Sequence, residues 1–288
     1  MNIADGVAQQ FYNQASGLAG EWWHGNHDAD PIIAMHGWLD NAASFAPLAA
    51  ALGRPLLALD MPGHGLSRPL SPDSLIQMVD YLLPLQRLFA DKGWQRCTLL
   101  GHSMGAGVAT LMAVAMPEQV SRLILLDGLG PLSGADADAP QQLRRALQDQ
   151  AAASAKSKPV YSTKQQAIAA RCRGAIGSMS EGAATLLCER GLQQVDQGWT
   201  WRADSRLKQA SPQRFTEGQV IAILRAIQQP VCLIVAQQGL GAQPMFAARR
   251  QALAEHHNWQ MFDVPGGHHM HMDTPDLLLP MLKSFLAV

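Results

Sequence analysis

What this chain has little of narrows the field first. Four of its 288 residues are cysteines, Cys97, Cys172, Cys188 and Cys232. They are scattered, with no paired short spacing, which excludes a disulfide framework and a cysteine zinc site. They read as small buried hydrophobes in a reducing compartment, so the expected location is cytoplasmic. Charge of one sign is also missing: 22 Lys and Arg face 23 Asp and Glu, for a net charge of −1. With no basic run there is no field for a nucleic acid partner. No apolar stretch approaches the roughly 18–20 residues that a membrane helix needs. Asp5 comes early and no basic segment precedes an apolar one, which argues against a secretory leader. Hydrophobic residues make up 48% and charged residues 16%, a balance that excludes a disordered chain.

What is present is alternation. Short apolar runs at 31–37, 55–62, 97–103, 120–128, 230–237 and 259–267 read as buried strands. Helical stretches follow at 41–52, 74–90, 104–116, 244–256 and 276–286. Continuous apolar strands separated by helices imply a mostly parallel sheet covered on both faces, a doubly wound α/β fold. From Pro131 to about Ser211 no strong buried strand stands out. The amphipathic, Ala- and Gln-rich segments there, over 141–157, 164–175 and 181–195, predict helices. The expected organisation is a core of residues 1–131 and 212–288, with 132–211 inserted as a helical cap in which Trp199 and Trp201 find something to bury.

Gly101-His102-Ser103-Met104-Gly105 fits Gly-x-Ser-x-Gly, directly after an expected strand and before an expected helix. A side chain projecting from so sharp a turn needs neighbours without a Cβ, because the strand and helix backbones come close. Free N–H groups at the helix start favour developing negative charge on Ser103. A phosphate loop would place Gly-Lys-Ser/Thr here, and there is no lysine. Acyl transfer then needs two N–H donors aimed at the oxyanion. Met104 N–H is one candidate and Trp38 N–H, in "MHGWLDN", the other. His36 is expected to hold that loop by hydrogen bonds. Asp60, in "ALDMPGHG", reads as a shaper of the Pro62–Gly65 loop.

The segment "PGGHHMHMDTP" places His268, His269 and His271 within four residues. His269-x-His271-x-Asp273 copies part of a binuclear metal motif, but the next position is Thr274, and no ligands follow to complete a site. No metal and no cofactor are expected.

Together "HGWLDNAASF", "ALDMPGHGLS", "LLGHSMGAGVA", "LILLDGLGP" and "GGHHMHMDTP" resemble the α/β-hydrolase superfamily, most closely its serine-hydrolase-like branch. The resemblance covers both core segments and not the cap. It implies a triad in the chain order nucleophile, acid, histidine. In most of that superfamily the acid follows the strand after the cap, yet "QGLGAQP" holds no acid, and none occurs from Gly218 to Ala254. Either the triad is broken or the acid lies elsewhere. Asp127, ending "LILLDG", is the expected acid; the bland alternative is an aspartate capping a turn before Gly128. The pattern Gly-His-x-x-x-x-acidic-x-Pro selects His268 as the base over His269, with Asp273 on its acidic position and opening the last helix. His36, His102, His269 and His271 are candidates for the pocket wall. The implied activity is hydrolysis of a small to medium, largely apolar ester through an acyl-enzyme. The same triad is compatible with thioester, amide or C–C bond hydrolysis. Glu181, Glu189 and Asp196 in the cap would suit an aminopeptidase, and equally an ordinary solvated face. A non-catalytic binding protein of this fold is the remaining alternative. The expected partner is a small ester-like molecule, and a monomer and a homodimer are both compatible with the sequence.

Overall fold

Strand formation begins earlier than the apolar pattern predicts. In the computed structural model, which describes residues 8–25, 30–152, 158–174 and 177–287, β1 (Gln9–Asn13) and β2 (Leu18–Trp23) form an antiparallel hairpin. QQFYN is mostly exposed, so it carries no buried run to betray a strand. The expected alternation follows. β3 (Ile32–Met35), α1 (Ala46–Leu52), β4 (Leu56–Leu59), α2 (Leu82–Lys92), β5 (Cys97–His102), α3 (Met104–Ala115) and β6 (Val120–Leu126) come first. Between β6 and the returning core lie α4 (Ala139–Ala151), β7 (Val160–Tyr161), α5 (Lys164–Cys172), α6 (Glu181–Gly191), β8 (Leu192–Val195) and β9 (Gly198–Trp201). The core resumes with α7 (Glu217–Arg225), β10 (Val231–Gln238), α8 (Pro244–Leu253), β11 (Trp259–Gly267), the short α9 (Met270–Asp273) and α10 (Leu279–Ala287).

Eight strands run in the order β1-β2-β4-β3-β5-β6-β10-β11, parallel from β4 through β11. β3, β4 and β5 are buried along their whole length, as strands covered on both faces must be. One face packs on α2, α3, α7 and α8, with Phe89, Trp94 and Met112 in its core. The other packs on α1 and α10, with Phe45, Leu48 and Phe285. From β3 the chain moves one way to β4 and then the other way to β5. This reversal opens a crevice at the carboxyl ends of β3 and β5, where ligands bind in open α/β sheets.

The inserted segment departs from the all-helical expectation. α6 stops at Gly191, and "LQQV" continues as β8 of a three-stranded antiparallel sheet, β7-β9-β8. β8 and β9 are joined through Asp196 and Gln197, and Gly198 sits at φ 131°, where any Cβ would lie 2.1 Å from Tyr161 O. Thr200 and two tryptophans supply the β-prone residues. Of the helical stretches read from sequence, residues 153–157 and 175 lie outside the described residues.

Buried polar bonds tie this segment to the core. Arg190 on α6 donates Nε to both oxygens of Asp60 at 3.0 Å, and Nη1 to Glu21 Oε1 at 2.8 Å. Asn41 Nδ2 donates to Leu187 O at 2.9 Å, and Arg171 on α5 pairs with Asp40. Removing one partner of such a buried pair leaves the other charge uncompensated. Arg190→Met is therefore expected to cost about 3–5 kcal/mol, read as a lowered urea midpoint at unchanged slope. A cost below about 1 kcal/mol would show that Asp60 has other support enough.

Candidate active site

β5 turns into α3 through Ser103, whose backbone lies at φ 53° and ψ −112°. A non-glycine residue held there costs on the order of 1–3 kcal/mol, so the surroundings must enforce it. They do so by close approach. A Cβ on Gly105 would stand 1.9 Å from Met35 O, and one on Gly101 2.4 Å from Gly105 O. Ser103 N–H donates to Leu126 O at 3.0 Å, fixing the turn to β6.

The loop after β3 packs on the same helix start. Gly105 N–H donates to His36 O at 3.1 Å. Asp40 N–H closes a turn onto Gly37 O at 3.1 Å, with Leu39 in the left-handed region at φ 64°. Neither Trp38 N–H nor Met104 N–H has an acceptor among the described residues. The Trp38 indole donates to Leu207 O at 2.8 Å, and Trp38 lines both cavities beside Ser103. His36 accepts from Met61 N–H on Nε2 at 2.9 Å, so its Nδ1–H donates to Gly37 O at 2.7 Å. It holds the loop, as its place in the sequence predicts. Asp60 shapes the adjoining loop, accepting from Ala42 N–H and Leu66 N–H at 2.8 Å each.

β6 ends at Asp127, itself at φ 45° and fully buried. His268, just past β11, places Nδ1 2.5 Å from Asp127 Oδ2. Oδ2 also accepts from Leu240 N–H at 2.7 Å, while Oδ1 accepts from Ala236 N–H at 3.2 Å and Gly241 N–H at 3.1 Å. The loop after β10 thus holds no acid of its own and grips the acid of β6 instead. Gly239 in it leaves room: a Cβ there would sit 2.2 Å from Asp127 Oδ2. With Nδ1–H donated to the carboxylate, His268 Nε2 is free to accept a proton. Ser103 and His268 line a common cavity of about 30 Å³, room for one water. No direct hydrogen bond joins them among the described residues.

The remaining histidines correct the expectation of a histidine-lined pocket. His36, His102 and His271 are fully buried and line neither cavity; His269 alone borders the small one. His102 donates Nε2–H to His268 O at 2.9 Å, so the elbow itself steadies the loop that carries His268. The ring of His102 packs at a tilt against those of His268, His269 and His271, with centroids 4.6, 5.6 and 4.0 Å away. Burial pushes His271 down to about 3, helped by its neighbour His269. Burial likewise lowers His269 to about 4, against the pull of Asp40, and lowers His102 well below the usual range. These rings are neutral packing groups at pH 7. Among the described residues no group of three or more His, Cys, Asp or Glu side chains could hold a metal ion. Asp273 does not open the last helix. It ends α9 and accepts from Ser180 N–H at 3.1 Å, another tie to the inserted segment.

Sequence reasoning passed over Asp40. Buried beside the small cavity, it pairs with Arg171 and lies 3.9 Å from both His102 Nδ1 and His269 Nε2. Burial works to raise its pKa and is outweighed, chiefly by the Arg171 charge, so the carboxyl stays below its ordinary value. Asp40 belongs to the quoted "HGWLDN", but its partner is 131 residues away.

A larger cavity of about 740 Å³ opens from Ser103, Met104 and Trp38 toward the inserted segment, walled by Met78, Phe215 and Phe246 among others.

Known proteins share this arrangement at the level of family. The model of the "Alpha/beta hydrolase family" matches residues 32–280. A human "Serine hydrolase-like protein 2" is 31% identical over 305 residues, covering 95% of this chain and 96% of its own. A hypothetical protein of Pseudomonas aeruginosa PAO1 with a crystal structure is 40% identical, at a TM-score of 0.90 over 98% of this chain and 99% of that one. A thioesterase domain from the curacin biosynthetic pathway superposes with a TM-score of 0.79 at 25% identity, covering 96% and 99% of the two chains. Sheet order, serine elbow and family match agree: the chain belongs to the α/β-hydrolase family, in its serine-hydrolase-like branch.

Proposed function

We propose that the protein is a serine hydrolase of ester-like bonds. The observation that carries this reading is His268, bonded to buried Asp127 at 2.5 Å and sharing a cavity with Ser103 on its strained elbow. Ser103 Oγ attacks the carbonyl carbon as His268 Nε2 takes its proton. Trp38 N–H and Met104 N–H receive the developing oxyanion. His268 then returns the proton to the departing alcohol, leaving an acyl-enzyme. A water that loses its proton to His268 attacks the acyl carbon, and Ser103 is released with the acid. Asp127 holds the imidazole in the productive tautomer throughout. Residues 132–211 act as a cap over the core of 1–131 and 212–288, and no cofactor takes part. All four cysteines are unpaired and three are buried, which supports a reducing compartment such as the cytoplasm.

The expected result is labelling of the wild-type protein by a fluorophosphonate probe, with turnover of p-nitrophenyl butyrate, and neither in Ser103→Ala. A folded wild-type protein that shows neither would leave a binding protein of the same fold. A second reading, thioester hydrolysis on the same triad, is favoured by the likeness to the thioesterase domain. It predicts that acyl thioesters outpace the matching esters.

A further inference from the structure

The wall of the large cavity carries charge of one sign. Its lining includes Arg145, Arg206, Lys208 and Arg214, and no aspartate or glutamate. The chain as a whole has 22 basic and 23 acidic residues, so this is a local departure from balance. The four cations are not equivalent. Arg206 is committed to the fold: it donates Nη2 to Asp204 Oδ2 at 2.6 Å and to Leu70 O at 3.0 Å. Arg145 is exposed and lies 4.0 Å from Asp149. Lys208 and Arg214 are exposed and have no ion pair among the described residues. Both follow β9 on the segment that leads back to the core. The same lining carries the apolar side chains of Ile76, Met78, Val79, Leu132 and Phe215, and Val79 and Leu132 remain 40% and 43% exposed.

A neutral substrate would use the apolar side chains alone and leave the two exposed cations to water. An anion would use both. We propose that the compound hydrolysed here is an amphiphilic anion: an acyl ester or thioester whose apolar part lies on Met78, Val79 and Leu132. Its carboxylate, phosphate or sulfate, remote from the scissile bond, is held by Lys208 and Arg214, with Arg145 near. The inference rests on Ser103 being the nucleophile at the inner end of this cavity. A charge of this kind, focused in a cleft, raises both occupancy and encounter rate.

Two pairs of compounds test it and separate the sources of the anion. The acyl side is probed by mono-4-nitrophenyl adipate against its neutral methyl ester. The leaving-group side is probed by hexanoyl-coenzyme A against hexanoyl-N-acetylcysteamine. In one pair, kcat/KM for the anion is expected to exceed that of its neutral partner by about tenfold or more at 50 mM NaCl. The ratio should shrink in 0.5 M NaCl, where screening shortens the reach of exposed charges. In Lys208→Gln/Arg214→Gln the ratio should approach one, and in Lys208→Glu/Arg214→Glu it should fall below one. Ratios within about twofold for both pairs, or a ratio indifferent to these substitutions, overturn the proposal while leaving hydrolysis standing. Calorimetric binding of the same four compounds to Ser103→Ala keeps the two readings apart. Preference for an anion that depends on Lys208 and Arg214 without any wild-type turnover upholds the anion site and removes the hydrolase. Equal binding of charged and neutral members removes the anion site whatever the turnover.

Discussion

Asp127→Asn is expected to lower kcat by about 10⁴-fold, the order of loss when a triad carboxylate becomes an amide. The geometry says what each orientation of the amide costs. Each carboxylate oxygen accepts two N–H bonds, Oδ2 from His268 and Leu240, Oδ1 from Ala236 and Gly241. Asparagine has one acceptor oxygen. If that oxygen faces His268, its NH2 group points at the N–H groups of Ala236 and Gly241, opposing donor to donor in a buried site. If the NH2 group faces His268 instead, the imidazole must accept there and carry its proton on Nε2, where it cannot act as base for Ser103. The first arrangement costs stability, about 1–3 kcal/mol for a buried group left unpaired; the second costs the reaction. Steady-state kinetics on p-nitrophenyl butyrate, beside a thermal melt, separates them. A fall in kcat under tenfold in a folded variant would move the acid away from Asp127.

Asp127 also shows what a single sequence can and cannot display. Strands buried on both faces and the glycines of the elbow were legible, because each follows from a local rule: continuous apolar runs, or backbones too close for a Cβ. That the loop after β10 carries no acid was legible only as a lack. The positive sign was in the same loop, in Gly239, whose missing Cβ makes way for Asp127. Taking that glycine as a message about a residue 112 positions earlier requires the β6–β10 pairing. The hairpin of β1 and β2 was missed because its outer strand buries almost nothing, and β8 because "LQQV" extends a helical pattern. The histidine cluster misled in another way. Three imidazoles in four residues look like a rim, and only packing reveals that two of the four candidate pocket histidines, His102 and His271, pack against each other with centroids 4.0 Å apart inside the core. Arg171 and Arg190 carried no sequence signal at all, since their partners Asp40 and Asp60 come from the opposite end of the chain.

Those buried imidazoles, with His64 of the Pro62–Gly65 loop, which is also buried, make the fold acid-sensitive. His64 is pushed down to about 3, His269 to about 4 and His271 to about 3, in each case chiefly by burial, from an ordinary value of 6.5. As pH falls below 6.5 the unfolded chain takes up protons at these positions, whereas the folded chain stays neutral until pH 3–4. The unfolded state therefore binds more protons, and stability falls with falling pH across the whole window. At pH 5 each of the three contributes a loss on the order of 2 kcal/mol, together roughly 6 kcal/mol. That is comparable to the whole stability of an ordinary domain, about 5–15 kcal/mol. His36 and His102, both lowered mainly by burial, act in the same direction. Asp40 does not offset them. Its lowered pKa supplies stability above the unfolded carboxylate value of 3.8, lost only at lower pH. Urea midpoints measured from pH 8 to pH 5 are expected to drop steeply below pH 6.5, with an uptake of at least about three protons. His271→Phe isolates one of them. Neither ring nitrogen of His271 has a hydrogen-bond partner among the described residues, and its ring packs on Phe45 with centroids 5.4 Å apart. Replacement by an apolar ring should remove one proton from the slope and leave the variant about 2 kcal/mol more stable than wild type at pH 5, relative to their difference at pH 8. A midpoint that stays level down to pH 5, or a variant with the wild-type slope, would mean that these imidazoles are solvated in a way their burial denies.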